Sequence, residues 1–174
     1  MPSQEHPQHI VVMGVSGVGK TTIATELASR VGYEFAEADD FHPRSNIDKM
    51  SAGVPLDDED RAPWLRALAD WMRQRYDEGQ STVMACSALR RRYRDILREG
   101  APDAFFVHLV GDQDLLLDRM DHRKHFMPSA LLQSQFDTLE PLADDENGVV
   151  LDVADPPESL VDRAVEAAEG ARKG

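Results

Sequence analysis

The chain has 174 residues, one cysteine, and 32 acidic against 19 basic side chains for a formal net charge of −13; a surface of that sign repels phosphate polymers and anionic bilayers, which argues against a nucleic-acid or membrane partner. The lone Cys86 excludes an internal disulfide and a four-cysteine zinc site, and without an 18-residue apolar run or a basic-then-apolar leader the expectation is a soluble, cytoplasmic protein. The length suits a single domain with a sizeable core over residues 9–174, behind a loose polar tail at 1–8.

The first predicted element is a strand over residues 9–13, a β-branched run with no turn former. It runs into Gly14-Val15-Ser16-Gly17-Val18-Gly19-Lys20-Thr21, which fits G-x-x-x-x-G-K-[ST] at every fixed position. Ile23, Leu27 and Val31 then recur at helical spacing up to Gly32. Strand, glycine loop and helix together are the context a phosphate-binding loop requires. Glycines let the backbone wrap closely around an anion, and the unpaired N–H groups at the helix start face the phosphates. Residues Gly14 to Thr21, with Thr22 behind them, are therefore assigned to the phosphates of ATP; Lys20 reaches the outer phosphates and the Thr21 hydroxyl holds Mg²⁺.

A second strand over 34–38 ends in Asp39 and Asp40. Asp39 is placed to accept a proton from a hydroxyl or to help hold the metal, and Glu37 lies two residues earlier on the same strand face. A solvated acidic turn is the plainer reading, but a position opposite the phosphate loop favours a functional one. His42 and Arg44 add donors for a polyhydroxylated or anionic molecule. Residues 41–60 hold no clean strand and are broken by Pro43, Gly53 and Pro55, with a short helix near 47–51. Pro63 suits the first turn of the next helix, whose face is lined by Trp64, Leu65, Leu68, Trp71 and Met72.

The third strand, 81–86, leads into Ser87 and Arg90, which face the acceptor. No aspartate stands at that strand end, so Mg²⁺ rests on Thr21, water and the nucleotide, with Asp39 or Glu37 as further candidates. Arg91 and Arg92 read as a surface stripe, and Cys86 as a buried inert thiol. After a helix through Tyr93 and Leu97 comes the fourth strand, 104–110, and a helix running to about 123. Arg119 and Arg123 are spaced i, i+4, with Lys124 and His125 next, a basic cluster suited to an anion clamp on a closing lid over about 119–140. Pro128 opens another helix; a fifth strand, 148–153, and a last helix closed by Gly170 finish the chain. Apolar strands alternating with helices predict an α/β fold with a five-stranded parallel sheet and ligands at one edge.

Beyond the loop, the stretches Asp39 to Asn46, Asp48-Lys49-Met50, Pro55 to Leu65, Cys86 to Arg90, His125 to Pro128, Leu131 to Gln135 and Leu139-Glu140-Pro141 resemble the thermoresistant-type gluconate kinases, and the resemblance runs over about 9–167. It implies a nucleoside-monophosphate-kinase-like P-loop fold with a small helical lid, ATP and Mg²⁺ as cosubstrates, D-gluconate as acceptor, 6-phosphogluconate and ADP as products that feed the pentose phosphate pathway, and a homodimer. Carried over by position, Asp39 activates the acceptor hydroxyl, and His42, Arg44, Lys49, Ser87, Arg90 and His125 contact the sugar acid. Arg119 and Arg123 contact lid or nucleotide, with Lys20 and Arg123 neutralising charge in transfer. Related kinases often carry Asp where this chain has Glu37, and many carry Gly where it has Lys124. A kinase of another small metabolite, such as shikimate or a nucleoside monophosphate, stays open as an alternative. A non-catalytic ATP-binding switch is a further one, against which the acidic strand end and basic lid both weigh.

Overall fold

The chain starts its sheet with β1 (His9–Met13), whose five residues are all buried. In this computed structural model, which describes residues 6–15, 17–123 and 129–173 without the side chains of 120–123, 129–131 and 173, α1 (Lys20–Val31), β2 (Glu34–Glu37) and a 3-10 turn (Ala38–Phe41) follow. Then come α2 (Arg44–Ser51), α3 (Asp58–Asp77), β3 (Thr82–Ala85) and α4 (Arg91–Gly100). β4 (Phe105–Val110), α5 (Gln113–Arg123), α6 (Ser129–Thr138), β5 (Gly148–Asp152) and α7 (Pro157–Lys173) complete the order. The five strands are parallel in the order β2-β3-β1-β4-β5, as the alternation of strand and helix predicts. With β1 at the centre, its C-terminal loop opens into the crevice where the strand order reverses.

Side-chain alternation on β1 splits the core into two layers. Ile10 and Val12 pack with Ile23 and Leu27 of α1 and Leu160, Val161 and Ala164 of α7. Val11 and Met13 pack with Leu65, Leu68 and Met72 of α3 and Tyr93 and Leu97 of α4. At Gly100 the α3 and α4 backbones meet so closely that a Cβ would lie 1.9 Å from the Ala69 carbonyl oxygen.

Several boundaries differ from the sequence reading for local reasons. α3 begins at Asp58, ahead of Pro63: the Asp57 side chain accepts from the Asp60 N–H (2.8 Å) while the Asp60 carboxylate accepts from the Asp57 N–H (3.0 Å). This reciprocal cap starts the helix early, and Pro63 is carried inside it with one backbone N–H lost. α7 runs through Gly170, because an interior glycine costs only about 1 kcal/mol and Arg172 ties the last turn to the Tyr33 hydroxyl (2.7 Å) and the His6 carbonyl (3.0 Å). The tail ends sooner than expected. Gln8 is buried, its side-chain amide donating to the Ala168 carbonyl and accepting from the Tyr33 hydroxyl, each over 2.9 Å.

Candidate active site

The phosphate loop is shaped by close backbone approach. Gly14 has φ +148°, its N–H donates to the Ser87 carbonyl (3.3 Å), and a Cβ there would stand 2.6 Å from the Leu109 carbonyl oxygen. The end of β1 is thus threaded between the ends of β3 and β4, and only glycine fits. Gly17 (φ +91°) and Gly19 (φ +90°) turn the chain into α1, while Val15 and Val18 anchor the loop by burying their side chains in the core. Among the described residues α1 has no side-chain cap, and its first turn carries no acidic residue, so the positive end of its dipole suits an anion.

Lys20 folds back over this loop and donates from Nζ to the Gly14 and Val15 carbonyls (2.9 and 3.1 Å). Burial lowers its pKa, while Cys86, Asp39 and Glu37 pull the other way. Two of three ammonium donors are spent on neutral carbonyls, which suits a cation awaiting an anionic partner. At the next residue, the Thr21 hydroxyl donates to Glu37 Oε2 (2.7 Å). These hard oxygens suit Mg²⁺, an ion that keeps water and phosphate in its shell.

Asp39 reaches the site differently from the expectation. The strand ends at Glu37, and Ala38–Phe41 form the 3-10 turn, pinned by the Trp64 indole donating to the Ala38 carbonyl (2.7 Å). The alternation that puts Glu37 and Asp39 on one strand face therefore stops at Glu37. The Asp39 carboxylate stands 80% exposed, 3.8 Å from Nε2 of His42, whose side chain is only 4% exposed. The His42 ring stacks on Trp64 (4.2 Å between centroids), and Asn46 Nδ2 faces His42 Nδ1 at 3.2 Å. An amide N–H aimed at Nδ1 leaves the imidazole proton on Nε2, directed at Asp39. Burial keeps His42 below its ordinary pKa, with Asp39 opposing and Arg61 reinforcing the shift.

The far wall is built where α3 and α4 begin. The Tyr93 hydroxyl donates to Asp58 and accepts from Arg61 Nη1 (3.2 Å), and Arg92 pairs with Asp58. Ahead of α4, Ala88 holds φ +43°, the single positive value among the described non-glycine residues. Its carbonyl accepts from Arg94 Nη1 (2.9 Å). Arg94 is fully buried and paired with Glu146 (2.7 Å). Burial alone would raise the Glu146 carboxyl, but bonds from Arg94, the Ala143 N–H and Arg98 outweigh it and hold it at about 2. Cys86 is buried and its thiol is pushed up to about 12, which removes it as a nucleophile.

Three comparisons join this geometry to known proteins. A family model described as an AAA domain matches residues 10–142. The chain is 43% identical over 169 residues to a thermoresistant gluconokinase of Escherichia coli, covering 95% of this chain and 97% of that one. It is also 51% identical over 141 residues to a gluconokinase of Gluconobacter oxydans, covering 80% and 79%. The chain belongs to the gluconokinase family. A gluconokinase structure from Sinorhizobium meliloti superposes with a TM-score of 0.87 at 45% identity, covering 97% of this chain and 95% of that one.

Of the site residues predicted from sequence, the gluconokinase fold gathers Gly14, Lys20, Thr21, Glu37, Asp39, His42 and Ser87 along one sheet edge. Arg44 is 87% exposed and pairs with Asp48 on its own helix (3.2 Å); Lys49 is held by both oxygens of Asp60 (2.8 Å). Arg119 donates to the Val153 carbonyl (2.8 Å). Ser16, Lys124 and His125 lie outside the described residues, as does the side chain of Arg123. Sequence reasoning assigned no role to Asn46, Arg61 or Tyr93. Their signal was faint: Asn46 is 1% exposed and spends its amide on the Asp60 carbonyl (2.9 Å) as well as His42, and a polar residue so buried is there for its partners.

Proposed function

We propose that this chain transfers the γ-phosphoryl group of ATP to the primary hydroxyl of D-gluconate, giving ADP and 6-phospho-D-gluconate. The observation that carries the reading is the open Asp39 carboxylate beside His42 and within electrostatic reach of Lys20. The acceptor comes from the gluconokinases that share 43% and 51% of their aligned residues with it. Residues Gly14 to Thr22 cradle the phosphates with backbone N–H groups, and Lys20 leaves its carbonyl partners for the outer phosphates. Asp39 orients the hydroxyl and takes its proton, with His42 Nε2–H directed at it from the buried side.

Thr21 holds Mg²⁺ with Glu37 behind it, and the ion when bound neutralises charge on the phosphate oxygens. Ser87 and Arg90 meet the sugar acid from the third strand. His125 meets it from the segment between α5 and α6, which with Arg119 and Arg123 acts as a lid that excludes water. The enzyme works as a cytoplasmic homodimer.

The test is ADP release with ATP and Mg²⁺, comparing D-gluconate with its epimers, shikimate, nucleoside monophosphates and no acceptor. Stimulation by D-gluconate alone is expected. Stimulation by a different acceptor moves the function to another small metabolite, and ATP binding without any stimulation makes the chain a nucleotide switch.

A further inference from the structure

Arginines near the acceptor side of this acidic chain are almost all spoken for. Arg91, Arg92, Arg94 and Arg98 each pair with a carboxylate, and Lys49 with Asp60. Arg61 and Arg90 are the exceptions. Both are half-buried, and among the described residues neither forms an ion pair. Arg61 spends one N–H on the neutral Tyr93 hydroxyl (3.2 Å) and lies 5.5 Å from that ring's centre. Arg90 Nε is buried with no hydrogen-bond partner among the described residues. In a chain with 32 acidic side chains, two half-buried guanidiniums without a carboxylate partner among the described residues stand out, and the buried Arg90 Nε is a donor that folding itself leaves unmet there.

Both residues meet Tyr93: Arg61 donates to its hydroxyl (3.2 Å), and the Arg90 carbonyl accepts from its backbone N–H (3.0 Å). Arg61 and Arg90 both act on the charges of Asp58 and Tyr93, and Arg61 also acts on His42, the neighbour of Asp39. The one carboxylate among them, Asp58, is already engaged by Arg92 and Tyr93. What remains is cationic, planar and donor-rich, and Arg61 carries it within electrostatic reach of His42.

We propose that Arg61, with Arg90, forms a fork for the carboxylate of the acceptor, making Arg61 a specificity-determining residue that selects sugar acids over neutral polyols. This rests on the reading of the chain as a sugar-acid kinase. A guanidinium presents two parallel N–H donors that match a carboxylate, which a lysine does not reproduce. With the carboxylate fixed at this fork, the opposite end of an extended sugar acid is the hydroxyl presented to Asp39. The fork thereby sets which hydroxyl is phosphorylated as well as which molecule enters.

The experiment compares D-gluconate with D-gluconamide, the same chain without the charge, on wild type, Arg61→Gln, Arg61→Lys and Arg90→Gln. Turnover is measured alongside calorimetric binding of each compound, with circular dichroism and ATP affinity as controls for folding. For Arg61→Gln the KM and Kd for gluconate are expected to rise about 10- to 100-fold, with a far smaller change for gluconamide. Arg61→Lys should recover only part of the loss, and Arg90→Gln should act in the same direction. An unchanged gluconate-to-gluconamide ratio in a folded Arg61→Gln protein overturns the proposal, as does a fall in kcat with KM unaltered. If wild type binds gluconate but turns it over no faster than water, the kinase reading fails while the binding ratio still decides the fork. If wild type binds neither compound, both fail.

Discussion

The Thr21 hydroxyl donates to Glu37 over 2.7 Å, tying the first turn of α1 to the last residue of β2. The bond orients the hydroxyl oxygen, and a carboxylate behind such an oxygen raises its basicity toward a cation. Glu37→Gln is expected to leave the fold intact and to raise the Mg²⁺ concentration for half-maximal rate by about tenfold or more. A Mg²⁺ titration of initial rates at saturating ATP measures it, and an unmoved midpoint removes Glu37 from the metal site.

The Asp39 side chain is 80% exposed and stands 3.8 Å from His42, so its replacement opens no cavity. Asp39→Asn should lower kcat by about 10²- to 10⁴-fold while ATP binding and melting temperature hold. Wild-type-like turnover would show that the acceptor hydroxyl needs no carboxylate there.

Gly100 and Gly79 make a matched pair for backbone packing. A Cβ at Gly100 meets the Ala69 carbonyl oxygen at 1.9 Å, whereas at Gly79, φ +74°, it meets nothing within 4 Å. Gly100→Ala must push α4 off α3 and is expected to cost about 3 kcal/mol, on the order of 10 °C in Tm. Gly79→Ala pays only left-handed strain, about 1 kcal/mol. Thermal melts of the two variants rank them, and equal costs would mean that α4 shifts freely.

Acid should destabilise the fold in two stages. Burial depresses His9 and His108 to about 4 from 6.5, with Arg94 lowering His108 further and Glu146 opposing. Their contribution is present above pH 6.5 and is lost as pH falls toward 4, because the unfolded chain takes protons that the folded one refuses. Glu146, depressed to about 2 from 4.5, adds stability above pH 4.5 that disappears toward pH 2. His108→Leu should therefore lose less stability than wild type between pH 7 and pH 5 in urea titrations; an equal loss would clear His108.

The phosphate loop and the five-strand pattern were legible in the sequence because they depend on spacing within a few residues. Glycines at fixed offsets, apolar runs of strand length and helical repeats each act locally, and the parallel sheet follows from their alternation. The start of α3 was misread for a related reason. Pro63 is a strong local signal, but the Asp57–Asp60 cap is stronger, and its second carboxylate is an Asp where the usual pattern has Glu or Gln. The end of α7 was misread because Gly170 weakens a helix only slightly, and contacts from Arg172 to Tyr33 and His6 outweigh that.

Sequence by itself determined that a glycine loop joins a buried strand to a helix, that Lys20, Thr21 and Asp39 belong to one sheet edge, and which family motifs the chain carries. Tertiary structure decided which cations are free to bind. Arg94 is matched to Glu146 at 52 residues' separation and Arg61 meets Tyr93 at 32, while Lys49 and Arg44 are spent on Asp60 and Asp48. An arginine reads the same in any linear pattern. Whether it is a surface charge, a buried strut for Ala88 or an open donor depends on which carboxylates the packed helices bring within reach, and on how much water is left around it.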